Sequence, residues 1–293
     1  MIHQLENEYI SVKINQLGAE LCSYFNKQTE REIIWQGDPK FWKRHAPTLF
    51  PIVGKVENNT YRLGQDQFSL SQHGFARDQD FKVLHHSSLS ITFQLTNNNQ
   101  TKEIYPFEFV LEIQFSIQDK ELKVLYRVFN PSVENIYFCL GAHPGFNCPF
   151  EKHTSFHDYQ LKFEKSESSD RILLTPSGFR TGEREEKWLY GDTLSLSEEL
   201  FREDALIFDD LKSTSLSIES PKSNERIIVT WNNFPHMGIW KPLNNAPFIC
   251  IEPWNGMADQ AELDNDFKEK YGVISLASQK SFECAYTIEN VQK

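Results

Sequence analysis

The 293-residue sequence lacks a long hydrophobic run, an excess of basic residues and any paired-cysteine motif. No segment approaches the roughly 18 apolar residues of a membrane span, and the N-terminus has no basic start followed by an apolar stretch. The formal net charge of −11 offers no basic footprint for nucleic acid or an anionic membrane. We therefore expect a cytoplasmic protein that binds small molecules and neither nucleic acid nor membrane.

The five cysteines are widely scattered and include no C-x-x-C pair. They therefore predict neither a disulfide framework nor a structural zinc site. The zinc motif H-E-x-x-H is absent as well, so the sequence predicts no metal site. The absence of G-x-S-x-G, G-x-x-x-x-G-K-[ST] and G-x-G-x-x-G removes the common hydrolase, nucleotide and dinucleotide signatures.

Alternating apolar residues recur from end to end and predict strands. Residues 109–117 place apolar side chains on one face, Asp119 and Lys120 form a polar break, and residues 122–128 alternate again. This pattern is typical of a β-hairpin, and residues 216–231 repeat it around the turn sequence PKSN.

Helical patterns are few, and only residues 197–205 and 259–271 predict short helices. No linker rich in Pro, Gly or Ser divides the chain, and no internal repeat is present. The sequence therefore predicts an all-β protein with few short helices, built as a large antiparallel β-sandwich in a single domain over residues 1–293.

Two stretches carry candidate acid–base groups. Glu252 lies within FICIEPW, where apolar neighbours should raise its pKa above about 4.3 and suit it to act as a general base. A strand-end glutamate that points to solvent is the alternative. His143 lies in GAHPGF, where Pro144 favours extended backbone and the glycines allow close approach of a ligand. It is either an acid at a strand end or hydrogen-bonded scaffolding.

Two further stretches carry candidate ligand-binding groups. His73 and Arg77 lie in LSQHGFAR, a loop in which arginine could read hydroxyls, carboxylates or phosphate. The alternative is an exposed loop with a structural salt bridge. Asp209 and Asp210 end the strand-like run ALIFDD, where they form a carboxylate site or cap the strand. Because adjacent strand residues face opposite ways, at most one of the two should share a face with Glu252.

Taken in order, these stretches resemble the aldose 1-epimerase (galactose mutarotase-like) family, and most closely its LacX-like branch. The resemblance also covers INQLGAEL and FPIVGKVENNTYR near the start of the chain and spans nearly its whole length. It implies a β-supersandwich whose open cleft binds a pyranose without a cofactor. In this family a glutamate and a histidine open the sugar ring and close it on the other face.

The resemblance assigns a role to each matching residue. Glu252 matches the base that takes the proton of the anomeric hydroxyl, and His143 matches the acid that protonates the ring oxygen. His73 matches the histidine that binds near the ring oxygen, and Asp209 the aspartate that holds sugar hydroxyls. Aromatic rings suit the apolar faces of a sugar, so Trp254, Trp240 and Phe75 are expected either to stack on the ligand or to belong to the core.

The sequence departs from galactose mutarotases in two places. It has GKVENN where those enzymes have G-R-x-x-N-R, so that Lys55 and Asn59 replace the arginines. Its HGFAR also resembles hexose-6-phosphate 1-epimerases. The substrate class therefore stays open between a free aldohexose and its 6-phosphate, with Arg77, Lys55 or Lys241 as phosphate partners.

Two other functions remain open. Glu252 and Asp209 could act as the two carboxylates of a glycoside hydrolase, which requires a separation of about 5–9.5 Å. Alternatively, the chain is a sugar-binding module without turnover. The sequence also leaves open a homodimer.

Overall fold

The computed structural model describes residues 1–263 and 266–292. Within these ranges the chain forms one α-helix, α1 (Asn99–Ile104), five 3-10 helices and twenty-three strands. The 3-10 helices are Glu57–Asn59, Ala76–Asp78, Phe156–Asp158, Glu198–Phe201 and Phe267–Glu269. The strands are β1 (Ile2–Glu6), β2 (Ile10–Asn15), β3 (Glu20–Asn26), β4 (Arg31–Glu32), β5 (Thr48–Leu49), β6 (Thr60–Leu63), β7 (Asp66–Ser69), β8 (Lys82–His86), β9 (Ser90–Thr96), β10 (Val110–Gln118), β11 (Glu121–Phe129), β12 (Ile136–Phe138), β13 (Leu140–Ala142), β14 (Gly145–Asn147), β15 (Gln160–Leu174), β16 (Arg180–Ser195), β17 (Leu206–Phe208), β18 (Ser215–Glu219), β19 (Glu225–Asn232), β20 (His236–Trp240), β21 (Phe248–Asn255), β22 (Ile274–Leu276) and β23 (Ser281–Gln292).

The largest sheet in the described ranges has nine strands in the order β16-β15-β18-β19-β23-β11-β10-β9-β8. A second sheet runs β17-β20-β21-β13-β5, with β14 also paired to β21. The strands β1 to β4 form a third sheet, and β6-β7 and β12-β22 are two-stranded. The predicted all-β antiparallel fold is confirmed, and the two predicted hairpins are β10-β11 and β18-β19. That the whole chain is a single domain stays a prediction.

The two predicted helices are shorter than the sequence pattern indicated. Residues 197–205 contain only the 3-10 helix Glu198–Phe201, whose one buried side chain is Phe201. A single apolar contact cannot support an amphipathic helix of several turns. In residues 259–271, positions 264 and 265 lie outside the described residues, and the remainder contains only Phe267–Glu269. No helix in the described ranges is long and apolar enough to cross a membrane.

The strand β21 is buried along its full length. Because side chains alternate along a strand, its residues divide into two sets. Ile249 and Ile251 pack in the main hydrophobic core, whereas Phe248 and Cys250 pack with tryptophans on the opposite face. Glu252 shares that opposite face. A strand with a hydrophobic core behind it thus presents a buried carboxyl on its other side.

Candidate active site

The register of three strands brings His143 opposite Glu252. Gly141 of β13 lies opposite Trp254 of β21, and β14 continues the same antiparallel register after the gap between the two short strands. His143 occupies that gap, where the register places it across from Glu252. Pro144 has no N–H to donate to β21, which explains why the strand is interrupted here.

The two side chains are in contact. His143 Nε2 lies 3.1 Å from Glu252 Oε2, and both residues are buried. The imidazole stacks on Trp42, with ring centroids 4.9 Å apart, and meets the edge of Trp240 at 5.8 Å. The tryptophans hold the ring in one orientation and shield it from water on two sides.

Trp254 lies against two glycines of the neighbouring strands. A Cβ added to Gly238 of β20 would lie 2.4 Å from the indole ring, and one added to Gly141 of β13 would lie 2.7 Å from it. Both distances are shorter than any packing contact. The two glycines therefore create the space that Trp254 occupies beside Glu252.

His73 is held by a tight loop. Its backbone has a φ of +66°, and Gly74 follows with a φ of +70°. The backbone N–H of Gly54 donates to His73 Nδ1 at 3.2 Å, so the neutral ring carries its hydrogen on Nε2, which lies 3.2 Å from the side-chain amide of Gln72. The ring meets His143 edge-on at 5.6 Å. Burial and the positive charge of His143, when protonated, hold the pKa of His73 well below its ordinary value.

These side chains line a cavity of about 330 Å³. The predicted residues Glu252, His143, His73, Arg77 and Trp254 all border it, as does Trp240. Buried polar atoms normally have hydrogen-bond partners, so exceptions point to a missing ligand. Among the described residues nine such side-chain atoms are unpartnered, and four belong to this cavity: Arg77 Nε, His143 Nδ1, Glu252 Oε2 and Trp254 Nε1.

Burial shifts the pKa of the acid–base pair in opposite directions. It raises the pKa of Glu252 well above its ordinary value, and the negative charge of Asp204 adds to the rise. The indole N–H of Trp254 faces this carboxyl without ordinary hydrogen-bond geometry and offsets the rise only in part. Burial lowers the pKa of His143 to about 3, assisted by the positive charge of Arg77. Burial therefore favours the neutral form of the pair, in which Glu252 rather than His143 carries the proton.

The aspartate at the cavity is Asp204, and Asp209 lies outside it. Asp209 accepts two hydrogen bonds of 2.6 Å from Arg184 and one of 2.5 Å from Tyr271. The two aspartates flank the short strand β17, one before it and one after it. The structure thus does not bring Asp209 together with the other predicted site residues, and the pairing of Asp209 with Glu252 in a glycosidase stays untested.

Four other predicted residues do not border the cavity. Lys55 lies just behind it, where its Nζ donates to Ser177 O at 2.6 Å. Lys241 is buried and donates to the carbonyl of Ala246. The two remaining residues are held elsewhere: Phe75 packs in the main core, and Asp210 accepts from the backbone N–H of Asp170.

Three cavity residues with polar or aromatic side chains were not anticipated from the sequence: Trp42, Gln72 and Asp204. Gln72 directly precedes His73, so adjacency in LSQHGFAR is the signal that could have indicated it. Asp204 begins the run DALIFDD, so an aspartate lies at each end of this strand-like segment. The sequence alone did not distinguish between them. Trp42 lies in FWKRHAP, which carries no comparable signal.

The cavity wall also contains a set of potential metal ligands. One atom each of His143, Cys250 and Glu252 lie within 4.8 Å of one another, and all three residues are buried. Sequence spacing could not predict this group, because His143 lies far along the chain from Cys250 and Glu252 and meets them only through strand pairing. A motif such as H-E-x-x-H detects only ligands on one element.

A larger cavity of about 390 Å³ lies elsewhere in the molecule. Its charged groups are already engaged: Lys270 pairs with Asp259 at 2.5 Å, and Arg180 Nε donates to Ala258 O at 2.9 Å. None of the candidate acid–base residues borders it. The smaller cavity is therefore the better candidate active site.

Comparisons with known proteins identify the family of this chain. The family model described as aldose 1-epimerase matches residues 1–272. The plasmid-encoded protein LacX of Lactococcus lactis subsp. lactis is 32% identical over 296 residues, which cover 97% of this chain and 98% of LacX.

Solved structures give the same result. A galactose mutarotase related enzyme from Lactobacillus acidophilus is 34% identical, with a TM-score of 0.94 over 100% of this chain and 98% of the other. A galactose mutarotase-like protein from Lactobacillus casei ATCC 334 is 35% identical, with a TM-score of 0.94 over 99% and 100% of the two chains. The chain therefore belongs to the aldose 1-epimerase family, as its sequence motifs indicated.

Proposed function

We propose that this chain is an aldose 1-epimerase that interconverts the α and β anomers of an aldohexose. One observation carries the proposal: His143 Nε2 and Glu252 Oε2 lie 3.1 Å apart at the wall of a cavity with unpartnered polar atoms. Opening a hemiacetal requires one group that accepts a proton and one that donates a proton. Few arrangements of two side chains provide both functions at one point.

In the proposed reaction, Glu252 accepts the proton of the C1 hydroxyl while His143 donates a proton to the ring oxygen. The bond between C1 and the ring oxygen breaks and C1 becomes an aldehyde. Rotation about the C1–C2 bond then presents the other face of the carbonyl. Closure reverses both proton transfers and yields the second anomer, so the protein returns to its starting state.

The protonation states of Glu252 and His143 fit this cycle. Ring opening starts from a charged pair, with Glu252 ionised and His143 protonated, and it leaves a neutral pair. Burial favours the neutral pair in the ligand-free protein. The two states hold the same number of protons and differ only in which group carries one. A single proton moving across the pair therefore connects them.

The other cavity residues would bind and orient the sugar. His73 can donate from Nε2 to the ring oxygen, because Gly54 occupies its Nδ1. Asp204 can accept from sugar hydroxyls and Arg77 can donate to them. Trp254 offers a fixed indole face for the apolar side of the ring. Apolar walls with a few directed polar groups are typical of small-ligand sites.

The direct test is exchange between anomers, followed by polarimetry or by NMR magnetisation transfer on freshly dissolved α-glucose and α-galactose. We expect the protein to accelerate the approach to equilibrium far beyond the buffer rate. Tight sugar binding without acceleration would identify a binding module instead. Absence of both binding and acceleration for all sugars and sugar phosphates would contradict the proposal.

A hexose 6-phosphate is a second candidate substrate, favoured by the charges around His73. Arg77 borders the cavity, and the positive charges of Arg77, Arg44 and Lys55 all lower the pKa of His73, after burial. If this positive region binds phosphate, kcat/KM should be higher for glucose 6-phosphate than for glucose. Arg77→Ala should abolish that preference, whereas Lys43→Ala, at an exposed position, should retain it.

A further inference from the structure

A buried thiol that the proposed reaction does not use lies next to the cavity, beside two residues that line it. Cys250 lies two residues before Glu252 on β21, so the two side chains point to the same face. His143 lies across from Glu252 on the neighbouring strand region. One potential ligand atom of each residue lies within 4.8 Å of the others.

We propose that His143, Cys250 and Glu252 form a zinc-binding site at the cavity wall. Imidazole nitrogen, thiolate sulfur and carboxylate oxygen are the ligands that Zn²⁺ takes in proteins. With metal–ligand bonds of about 2.0–2.3 Å, ligand atoms of a tetrahedral site lie roughly 3.3–3.8 Å apart. The three groups therefore need to approach by about 1.5 Å at most. The cavity provides the fourth position for water.

The carboxylate and imidazole ligands face each other. Glu252 Oε2 accepts no hydrogen bond of ordinary geometry among the described residues, and it lies 3.1 Å from His143 Nε2. Glu252 is 1% exposed and His143 is 7% exposed, so bulk water does not satisfy these groups. Cys250 is fully buried among aromatic rings. Unpartnered buried groups that converge on one point indicate a ligand between them.

The charge balance favours a divalent ion. Zn²⁺ is bound by thiolate and carboxylate, so the metal displaces any proton on Cys250 and Glu252, while His143 binds as neutral imidazole. The two negative ligand charges offset the two positive charges of the ion, which limits repulsion from nearby cations.

The charged groups that face the site come from four neighbouring elements. Arg77 and Arg44 lie on the side of His143, Asp204 acts on Glu252, and Lys241 acts on Cys250. His73 adjoins His143, and its lowered pKa keeps it neutral at pH 7. The thiolate sets the choice of metal, because Mg²⁺ and Ca²⁺ prefer sets of oxygen ligands.

A consequence follows that rests on the proposed function. Zinc would occupy both the base and the acid, so the metal would inhibit anomer exchange, and a chelator would restore it. Inhibition is therefore expected to track occupancy of the site. Binding itself does not depend on turnover and can be measured without a sugar.

The test uses tag-free protein and Co²⁺ as the optical probe. We expect one Co²⁺ per chain with a thiolate-to-cobalt charge-transfer absorption, which Zn²⁺ should abolish by displacing the cobalt. Cys250→Ser should abolish the absorption and weaken Zn²⁺ binding by more than about tenfold. Loss of a contact outside the ligand set can already weaken metal binding by about tenfold, so loss of a ligand should cost more. Cys284→Ser, a buried core position, should leave both unchanged.

Glu252→Gln provides a second variant that retains the thiol. It should also weaken Zn²⁺ binding. Wild-type protein without thiolate absorption, or equal Zn²⁺ affinity in wild type and Cys250→Ser, would overturn the proposal. If the protein binds metal but does not accelerate anomer exchange, the proposed function is contradicted and the zinc site is still supported. If the protein accelerates anomer exchange and Zn²⁺ does not affect the rate, the zinc site is contradicted and the proposed function is still supported.

Discussion

His143 lies opposite Glu252 across antiparallel strands, with Nε2 and Oε2 3.1 Å apart. The register that pairs them is fixed by strand pairing on both sides of the interruption at Pro144. Burial favours the form of the pair in which Glu252 carries the proton and His143 is neutral. Most of the predictions below depend on this pair or on the residues that set its surroundings.

Replacing Glu252 with glutamine should stabilise the fold increasingly as pH rises. The carboxyl has a raised pKa in the folded protein, so the folded state retains a proton that the unfolded chain loses above about pH 4.3. The free energy of unfolding of the wild type therefore declines from that pH up to the pKa of Glu252 in the folded protein. Over this range the unfolding constant rises by at most about tenfold per pH unit. Glutamine does not titrate, so the variant lacks this decline.

Urea denaturation at pH 5 and pH 8 measures this effect. The stability difference between Glu252→Gln and wild type should be larger at pH 8. Glu183→Gln, at an exposed position of β16, should show no such change. A difference that does not depend on pH would mean that Glu252 titrates normally.

Asp204→Asn should move the alkaline limit of activity to lower pH. The negative charge of Asp204 contributes to the raised pKa of Glu252, so its removal lowers that pKa. The pair then loses its proton at a lower pH, and kcat/KM begins to fall earlier. A pH profile of kcat/KM, with Asp209→Asn as the matched control, checks this; a shift of equal size in the control would contradict it.

Asp209→Asn should reduce stability and leave anomer exchange unchanged. Burial raises the pKa of Asp209, but hydrogen bonds from Arg184 and Tyr271 outweigh it and lower the pKa below the ordinary value. Loss of these charged hydrogen bonds should cost about 1–3 kcal/mol at pH 7. The lowered pKa means that this contribution is present above about pH 3.9 and is lost as pH falls through the folded pKa.

Chemical denaturation of Asp209→Asn at pH 7 and at pH 3 measures that contribution. The difference from wild type should shrink at pH 3. Anomer exchange per folded molecule should remain at the wild-type rate, because Asp209 lies outside the cavity. Loss of activity in correctly folded protein would return Asp209 to the sugar site.

Gly238→Ala should displace Trp254 and impair activity. The added methyl group would lie 2.4 Å from the indole ring, so the ring must move. We expect at least about a tenfold loss in kcat/KM, since one misplaced contact at a site can cost more than that, together with a change in tryptophan fluorescence. Gly191→Ala is the control: its φ of +91° makes alanine unfavourable, but no atom lies within 4 Å of the new Cβ. Equal activity in the two variants would contradict a role for Trp254.

The strand content was predictable because period-two alternation is local. Strands β10 and β11 follow directly from such a pattern. The contact between His143 and Glu252 could not be predicted from a local pattern. Only the family resemblance linked these two residues, which lie far apart in the sequence. No local pattern contains the shared register of β13, β14 and β21 that brings them together.

The aspartate of the site shows where sequence reasoning fails. Both Asp204 and Asp209 adjoin the same short strand, and the choice between them depends on which end of β17 faces the cavity. That choice is set by the pairing of β17 with β20, which is a non-local contact. The position of the Lys241 side chain is also set by a non-local contact. It pairs with Glu198 and donates to the carbonyl of Ala246.

The central claim is that Glu252 and His143 act as one unit, and a double-mutant cycle on anomer exchange tests it most directly. We expect Glu252→Gln and His143→Gln each to lower kcat/KM by about 10²–10⁴-fold. The double variant should be little worse than either single variant, because removing one group already disables the other. Near wild-type exchange in either single variant, or losses that multiply in the double variant, would contradict the claim.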